Sequence, residues 1–127
     1  MLKVVPNNRD YDTRNIMSQT KFYEAYSRWD DDKERYETWD ESVTRVMDMH
    51  RNYYSSKMTP ALNQLINEAE SYYKLQYVLG AQRALQFGGD QIMKHMMRMY
   101  NCTSSYADRP RFFSECFYVL LCGAGAG

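Results

Sequence analysis

The chain has 127 residues, of which 44% are hydrophobic, and its 16 Lys and Arg residues balance 16 Asp and Glu residues. This length suits one small domain or a piece of a larger protein. Because no block of like charge occurs, the composition argues against a protein that binds nucleic acid or a membrane surface. No apolar run approaches the ~20 residues of a membrane span, and the first residues lack a signal-peptide core. The three cysteines do not indicate a disulfide framework, so we expect a cytoplasmic protein.

The first half of the chain predicts helices separated by polar segments. Residues 1–16 contain many turn-forming residues and little periodicity, which predicts an extended arm. Helical periodicity begins near Ser18, and residues 30–33, DDDK, form a solvated connector. Thr38-Trp39-Asp40-Glu41 then has the pattern of a capping box and predicts a helix that runs to about Ser55.

Two further helices are predicted before residue 100. Thr59-Pro60 combines a capping hydroxyl with a proline suited to the first helical position, and the apolar stripe that follows ends near Gly80. The link at 81–89 ends in a glycine pair and predicts a sharp turn, after which Asp90 can cap a short helix. We assign residues 17–99 to one N-terminal helical region.

The pattern changes at residue 100. Residues 100–106, YNCTSSY, are rich in β-formers and predict one short strand. Residues 108–110, DRP, restart a helix that has apolar residues at helical spacing from Phe113 and that ends at Gly123. A single strand leaves its backbone groups unpaired, so we expect its neighbours in another chain or another part of the gene product.

Cys102 is the first candidate for chemistry. It lies mid-strand between Asn101 and Thr103, a polar setting that is unusual for a packing cysteine, although a buried structural cysteine remains the alternative. The two histidines, His50 and His95, fall on different helices, and no pair of residues has the spacing of metal ligands.

The glycines at the end of the sequence are the second candidate. The run GAGAG at 123–127 lacks the Lys-Ser/Thr of a P-loop and does not follow a predicted strand. Glycines without a Cβ allow close approach of the backbone to a ligand or another chain, and a flexible tail is the alternative.

Three segments in this order resemble the start of ribonucleotide reductase catalytic chains. They read YSRWDDDKERYETWDESVTRVMDMH, LINEAESYYKLQYVLGAQRALQFGG and YNCTSSYADRPRFFSECFYVLLCGAGAG. The resemblance is to the class II, adenosylcobalamin-dependent branch, including compact forms carried by phages, and it covers roughly residues 20–127. The chain departs from the family pattern before Arg83. The family usually has a Pro-Ser dipeptide there, whereas this chain has Gly80-Ala81-Gln82.

The resemblance implies a ten-stranded α/β barrel around the active site. The predicted fold is therefore mainly α: a helical N-terminal region, followed at 100–127 by the first strand, the next helix and a Gly-rich turn of a barrel that another chain completes. In the family, cobalamin homolysis generates a thiyl radical, and a cysteine pair then supplies electrons for reduction of the ribose 2′ position. By the match, Cys102 is one cysteine of that pair. The resemblance places five residues on the substrate side: Asn101, Thr103, Gly123, Ala124 and Gly125.

These implications lead to one functional hypothesis and two alternatives. The hypothesis is the N-terminal piece of a split or truncated class II reductase, which needs a C-terminal chain, a ribonucleotide, a deoxynucleotide effector and a dithiol reductant such as thioredoxin. Adenosylcobalamin would be bound mainly by the C-terminal chain, since the thiyl cysteine, the second redox cysteine and the cobalamin site have no counterpart here. One alternative is a non-catalytic helical binding or assembly module derived from a reductase N-terminus. The other is a class I reductase with a metal-dependent radical generator.

Overall fold

Helices make up most of the chain in this computed structural model, which describes the backbone of residues 8–126 and the side chains of residues 12–126. Its α-helices are α1 (Asn8–Ala25), α2 (Trp39–Tyr53), α3 (Pro60–Lys74), α4 (Gln82–Phe87), α5 (Asp90–Lys94) and α6 (Phe112–Leu121). Short 3-10 turns follow α2 and α5, at Ser55–Lys57 and Met96–Met99. A two-stranded antiparallel sheet, β1 (Trp29–Asp30) and β2 (Arg35–Tyr36), lies between α1 and α2. The mainly α prediction is confirmed, and no helix of the described part is long and apolar enough to cross a membrane.

Side-chain caps begin α2 and α3 where the sequence predicts them. The Thr38 hydroxyl accepts from the Glu41 N–H at 3.4 Å, and the Glu41 carboxylate accepts from the Thr38 N–H at 2.8 Å. This reciprocal pair is the predicted capping box. At α3 the Thr59 hydroxyl accepts from the Leu62 N–H at 3.2 Å, and Pro60 is the first helical residue.

The hydrophobic core lies where α2, α3 and α4 meet. Its buried members are Val43, Val46, Tyr73, Ala84 and Leu85. The indole N–H of Trp39 donates to the Lys74 carbonyl at 3.1 Å, which joins the start of α2 to the end of α3.

An ion pair fixes α4 against this core. The Arg45 guanidinium donates to the Glu37 carboxylate at 2.8 Å. The two side chains are 15% and 14% exposed, so the ion pair is largely buried. The same guanidinium donates to the carbonyls of Leu85 at 3.1 Å and Gly88 at 2.9 Å, and Arg28 donates to a third carbonyl of that helix end. These bonds satisfy the C-terminal carbonyls of α4. They therefore hold α4, which carries Arg83 at one end.

The predicted extended arm at 1–16 is wrong from Asn8 onward, because α1 begins there. Residues 1–7 lie outside the described part. The described side chains from 12 to 21 are all exposed, so this part of α1 has no buried apolar stripe that the sequence could reveal.

The predicted connector at 30–33 is the turn of a β-hairpin. The Asp30 carboxylate accepts from the backbone N–H groups of Asp32 at 3.1 Å and Lys33 at 3.2 Å. Trp29 and Tyr36 pair across the strands, with ring centroids 5.4 Å apart. Strands of two residues are too short for a period of two to be visible, so sequence analysis missed them.

The predicted link at 81–89 is also wrong in part, because α4 occupies most of it. In addition, α3 ends at Lys74, several residues before the predicted end near Gly80. Gln76 adopts a left-handed φ of 60° there, and the Tyr77 N–H bonds the Tyr72 carbonyl at 3.0 Å. This is a Schellman-type helix end without the usual glycine, which explains why the sequence did not reveal it.

Candidate functional site around Cys102

Two backbone segments lie side by side around Cys102. Thr103 and Ala126 form an isolated parallel bridge. The Thr103 N–H donates to the Gly125 carbonyl at 2.9 Å, and the Gly125 N–H donates to the Tyr100 carbonyl at 3.2 Å. The Thr103 hydroxyl donates to the same Gly125 carbonyl at 2.7 Å. The bridged segments are joined by α6, so they form the beginning of a parallel strand–helix–strand unit.

This arrangement corrects the prediction of one lone strand at 100–106. Only Thr103 has β-bridge geometry in that segment, and its partner lies in the same chain at Ala126. The prediction assigned no β-structure to the glycine-rich residues 123–127. The Gly-Ala sequence carries no β-propensity, which is why its pairing could not be read from composition.

Backbone geometry requires both glycines of this turn. An ideal Cβ on Gly125 would lie 1.8 Å from the Asn101 carbonyl oxygen, closer than any real contact. Gly123 has a φ of 89° and follows α6, where its N–H donates to Leu120 and the next N–H, of Ala124, donates to Val119. The latter pattern is a Schellman motif, which confirms the predicted end of α6 at Gly123.

Cys102 is an exposed free thiol, whereas Cys116 and Cys122 are half-buried on or at the end of α6. The sequence places Cys116 and Cys122 among apolar residues of α6 and Cys102 among polar ones, which agrees with this difference in exposure. On α6, a hydrogen bond with Cys122 is the largest cause that raises the pKa of the Tyr118 hydroxyl. Within the described side chains, no group of three potential ligands among His, Cys, Asp and Glu is close enough to hold a metal ion.

The predicted site residues around Cys102 have different surroundings. Asn101 accepts a bond from the Arg83 Nε at 2.5 Å, and Thr103 is bound to Gly125. Ala124 is only 5% exposed, so its methyl group packs inside the chain. The structure therefore brings Asn101, Thr103 and Gly125 together beside Cys102.

Two arginines and a phenylalanine border this site. The sequence analysis named Arg83 only as the residue after the altered Pro-Ser position, and it did not single out Arg98 or Phe87. The guanidinium carbon of Arg83 lies 5.6 Å from the Phe87 ring centroid, and that of Arg98 lies 6.0 Å from it. The stem of Arg98 also passes over Gly123, where an ideal Cβ would lie 3.0 Å from the Arg98 Cγ. Arg83 and Phe87 are four residues apart, so a helix prediction at 82–87 would have placed them on one face.

Residues 5–88 match the family described as the ribonucleotide reductase alpha domain. The chain belongs to the ribonucleotide reductase family. Over 102 residues it is 30% identical to the adenosylcobalamin-dependent ribonucleoside-triphosphate reductase of Lactobacillus acidophilus. These matches confirm the resemblance predicted from the sequence, to the N-terminal portion of a class II reductase. No solved structure matches the chain.

The matched regions cover only part of this chain and a small part of its relative. The alignment with the Lactobacillus acidophilus enzyme covers 75% of this chain and 14% of that enzyme, so the chain spans about one seventh of its relative's length. The family match ends at residue 88, before Cys102. The roles of Cys102 and its neighbours therefore depend on the motif and the geometry described above.

Proposed function

We propose that this chain forms the N-terminal piece of an adenosylcobalamin-dependent ribonucleotide reductase, in which Cys102 is one thiol of the redox pair. The observation that carries this proposal is an exposed thiol on the first bridged segment of a strand–helix–strand unit, in a chain of the reductase family. A backbone segment held by neighbouring hydrogen bonds suits this task because it fixes the sulfur relative to a bound sugar.

The reduction needs two thiols. The ribose 2′ hydroxyl leaves as water, a hydrogen takes its place, and two thiols lose two electrons and two protons as they form a disulfide. Cys102 supplies one sulfur, and the remainder of the reductase supplies the other. A dithiol such as thioredoxin then reduces the disulfide for the next turnover.

The exposed surface of α6 supports a larger assembly. Phe113, Phe117 and Leu121 lie one turn apart along α6 and are 80%, 62% and 71% exposed. Parallel sheets are normally covered on both faces, and the parallel pair here consists of one bridge. The C-terminal part of the reductase would cover α6 and add strands beside Thr103 or Ala126, as in the barrel that the family resemblance implies.

The described residues do not fit adenosylcobalamin. The larger cleft, of about 620 Å³, lies between α1 and the ends of α3 and α4, and it is lined mainly by aromatic and carboxamide side chains. A smaller cleft lies between the β-hairpin and α2. Neither of these two clefts borders Cys102. We therefore assign the cofactor, like the deoxynucleotide effector, to the C-terminal part.

The test is reconstitution of ribonucleotide reduction from this chain and the remainder of the same reductase, with adenosylcobalamin and a dithiol. Cys102→Ser should lower turnover by at least about 100-fold without weakening the complex, because the 2′ reduction loses one of its two thiols. Cys116→Ser, a matched change on α6, should retain most of the turnover. Equal turnover for the two variants would contradict the role of Cys102.

The alternative is a non-catalytic binding or assembly module, and the closed packing of the α2–α4 core favours it. Within the described part, no buried side-chain nitrogen or oxygen lacks a hydrogen-bond partner. A module of this kind would bind the remainder of the reductase, and Cys102→Ser would leave turnover unchanged.

A further inference from the structure

The backbone that carries Cys102 is held by bonds on either side of the thiol. The Tyr100 carbonyl accepts from the Gly125 N–H at 3.2 Å, and the Thr103 N–H donates to the Gly125 carbonyl at 2.9 Å. Cys102 itself is exposed, so packing of its own side chain contributes little to the position of the sulfur. That position therefore depends on what holds the neighbouring residues.

A further contact reaches this backbone from α4. The Arg83 Nε donates to the Asn101 side-chain oxygen at 2.5 Å. A hydrogen bond from a guanidinium is about twice as strong as one between neutral groups. Asn101 is exposed and would otherwise sample several rotamers, so the bond fixes the side chain next to Cys102.

Arg83 is itself fixed by the rest of α4. Its guanidinium carbon lies 5.6 Å from the ring centroid of Phe87, one turn further along the helix. Leu85, two residues after Arg83, belongs to the buried core, and its carbonyl accepts from the Arg45 guanidinium at 3.1 Å. Contacts therefore run without a break from the core through Arg83 to Asn101.

We infer that Arg83 is a positioning residue that sets the place of the Cys102 thiol through Asn101. The inference rests on the proposed function, because the place of the thiol matters for turnover only if Cys102 reacts. A displacement of about 1 Å between reacting atoms can lower a rate about 100-fold. Since Arg83 acts here through Asn101 and not on the substrate, its loss lowers kcat and leaves the KM for the ribonucleotide unchanged.

The experiment is steady-state kinetics of the reconstituted reductase with variants on both sides of the bond. Arg83→Met removes the donor and keeps the length of the side chain, and Asn101→Ala removes the acceptor. Each should lower kcat at least about 10-fold, with a KM within about 2-fold of the unchanged enzyme. The double variant should be no slower than the slower single variant, because both changes remove the same bond.

Two further variants serve as controls. Arg111→Met replaces an exposed arginine just before α6 and should leave kcat and KM unchanged. Arg83→Lys keeps a charged donor and should turn over at least about 3-fold faster than Arg83→Met. If Arg83→Met disturbs the fold, Asn101→Ala decides, because it removes the same bond at an exposed residue.

Three results would overturn the inference: equal kcat for Arg83→Met and Arg111→Met, a raised KM at unchanged kcat, or multiplied losses in the double variant. The second result would mean that Arg83 contacts the substrate, and the third that Arg83 and Asn101 act independently. Cys102→Ser separates this inference from the proposed function. Full turnover of Cys102→Ser would overturn both, whereas an inactive Cys102→Ser beside a fully active Arg83→Met would overturn the positioning role alone.

Discussion

At Gly125 the backbone leaves no room for a methyl group. The Asn101 carbonyl occupies that space, and the same close approach allows the bonds between Gly125 and Thr103. The requirement for glycine here is thus explained by packing of the chain against itself. Contact with substrate, proposed for this residue from the family resemblance, would be an additional role.

Gly125→Ala should separate the two bridged segments. The variant must move Asn101 and Gly125 apart, and loss of the two backbone bonds and the Thr103 hydroxyl bond corresponds to about 2–3 kcal/mol. Hydrogen exchange of the Thr103 N–H should accelerate at least about 30-fold. Ser104→Ala, an exposed neighbouring change, should leave the exchange unaltered, and equal exchange in both variants would contradict the bridge.

Glu70 of α3 makes three side-chain bonds, two of which, to Thr44 and Arg51, join α3 to α2, while the third, to Lys74, lies within α3. Burial alone would raise the pKa of its carboxyl, but bonds from Lys74, Arg51 and Thr44 outweigh burial and lower the pKa from 4.5 to about 2. The ionised carboxylate therefore stabilises the folded chain at neutral pH.

This shift predicts the pH dependence of stability. The folded pKa lies below the unfolded value, so the contribution of Glu70 is complete above about pH 4.5 and is lost as the pH falls toward 2. It amounts to at most about 3 kcal/mol in the free energy of unfolding. Chemical denaturation measures the free energy of unfolding at pH 7 and at pH 2.5. The difference between these two values should be smaller for Glu70→Gln than for the unchanged chain. Glu68→Gln, an exposed change on the same helix, should keep the full difference, and identical profiles for the two variants would contradict this role.

At the scale of elements, α6 differs from the helices that precede it. Eight of its ten residues are apolar or aromatic, yet none of the ten is buried. Contiguous exposed apolar surface of this kind normally marks a protein–protein contact. The sequence predicted a helix with apolar residues at helical spacing from Phe113, and the structure leaves that apolar face uncovered within the described part.

The uncovered face predicts self-association of the chain in the absence of the remaining reductase. Leu121→Asp should reduce association by at least about 10-fold in sedimentation velocity, because a charge within an apolar contact is costly to desolvate. The side chain is 71% exposed, so the free energy of unfolding should change little. Tyr77→Ser removes a side chain of similar exposure, 75%, on the turn after α3 and should not alter association. A chain that stays monomeric before any change would favour the stand-alone module.

The elements that could be predicted from the sequence are those with a local chemical cause. Thr38, Thr59 and Gly123 mark helix ends by their own hydrogen bonds or φ angle, and all three were identified. The hairpin and α4 were missed because they are two to six residues long and depend on distant partners. For α4 those partners include Arg45, which donates to the Gly88 carbonyl from a helix distant in the sequence.

At the scale of the whole molecule, the candidate site also combines a residue that the local sequence points to with contacts that it does not reveal. Cys102 was predicted as a site residue from its polar neighbours and from the order of motifs, and its role stays a prediction. The pairing of Thr103 with Ala126 and the approach of Arg98 to Phe87 join residues that are distant in the sequence, and no periodicity reveals such contacts. The family match covers residues 5–88 and does not extend to this site.

The central claim, that Cys102 is a redox thiol of ribonucleotide reduction, is tested most directly by a single turnover without external dithiol. The reconstituted reductase would be mixed with ribonucleotide and adenosylcobalamin, and free thiols would then be alkylated and located by mass spectrometry. We predict that Cys102 is protected from alkylation by a disulfide with a cysteine of the remaining reductase, with one disulfide for each deoxyribonucleotide formed. Cys116 and Cys122 should be alkylated, because they remain free thiols. Deoxyribonucleotide formed with Cys102 still fully alkylated would contradict the account.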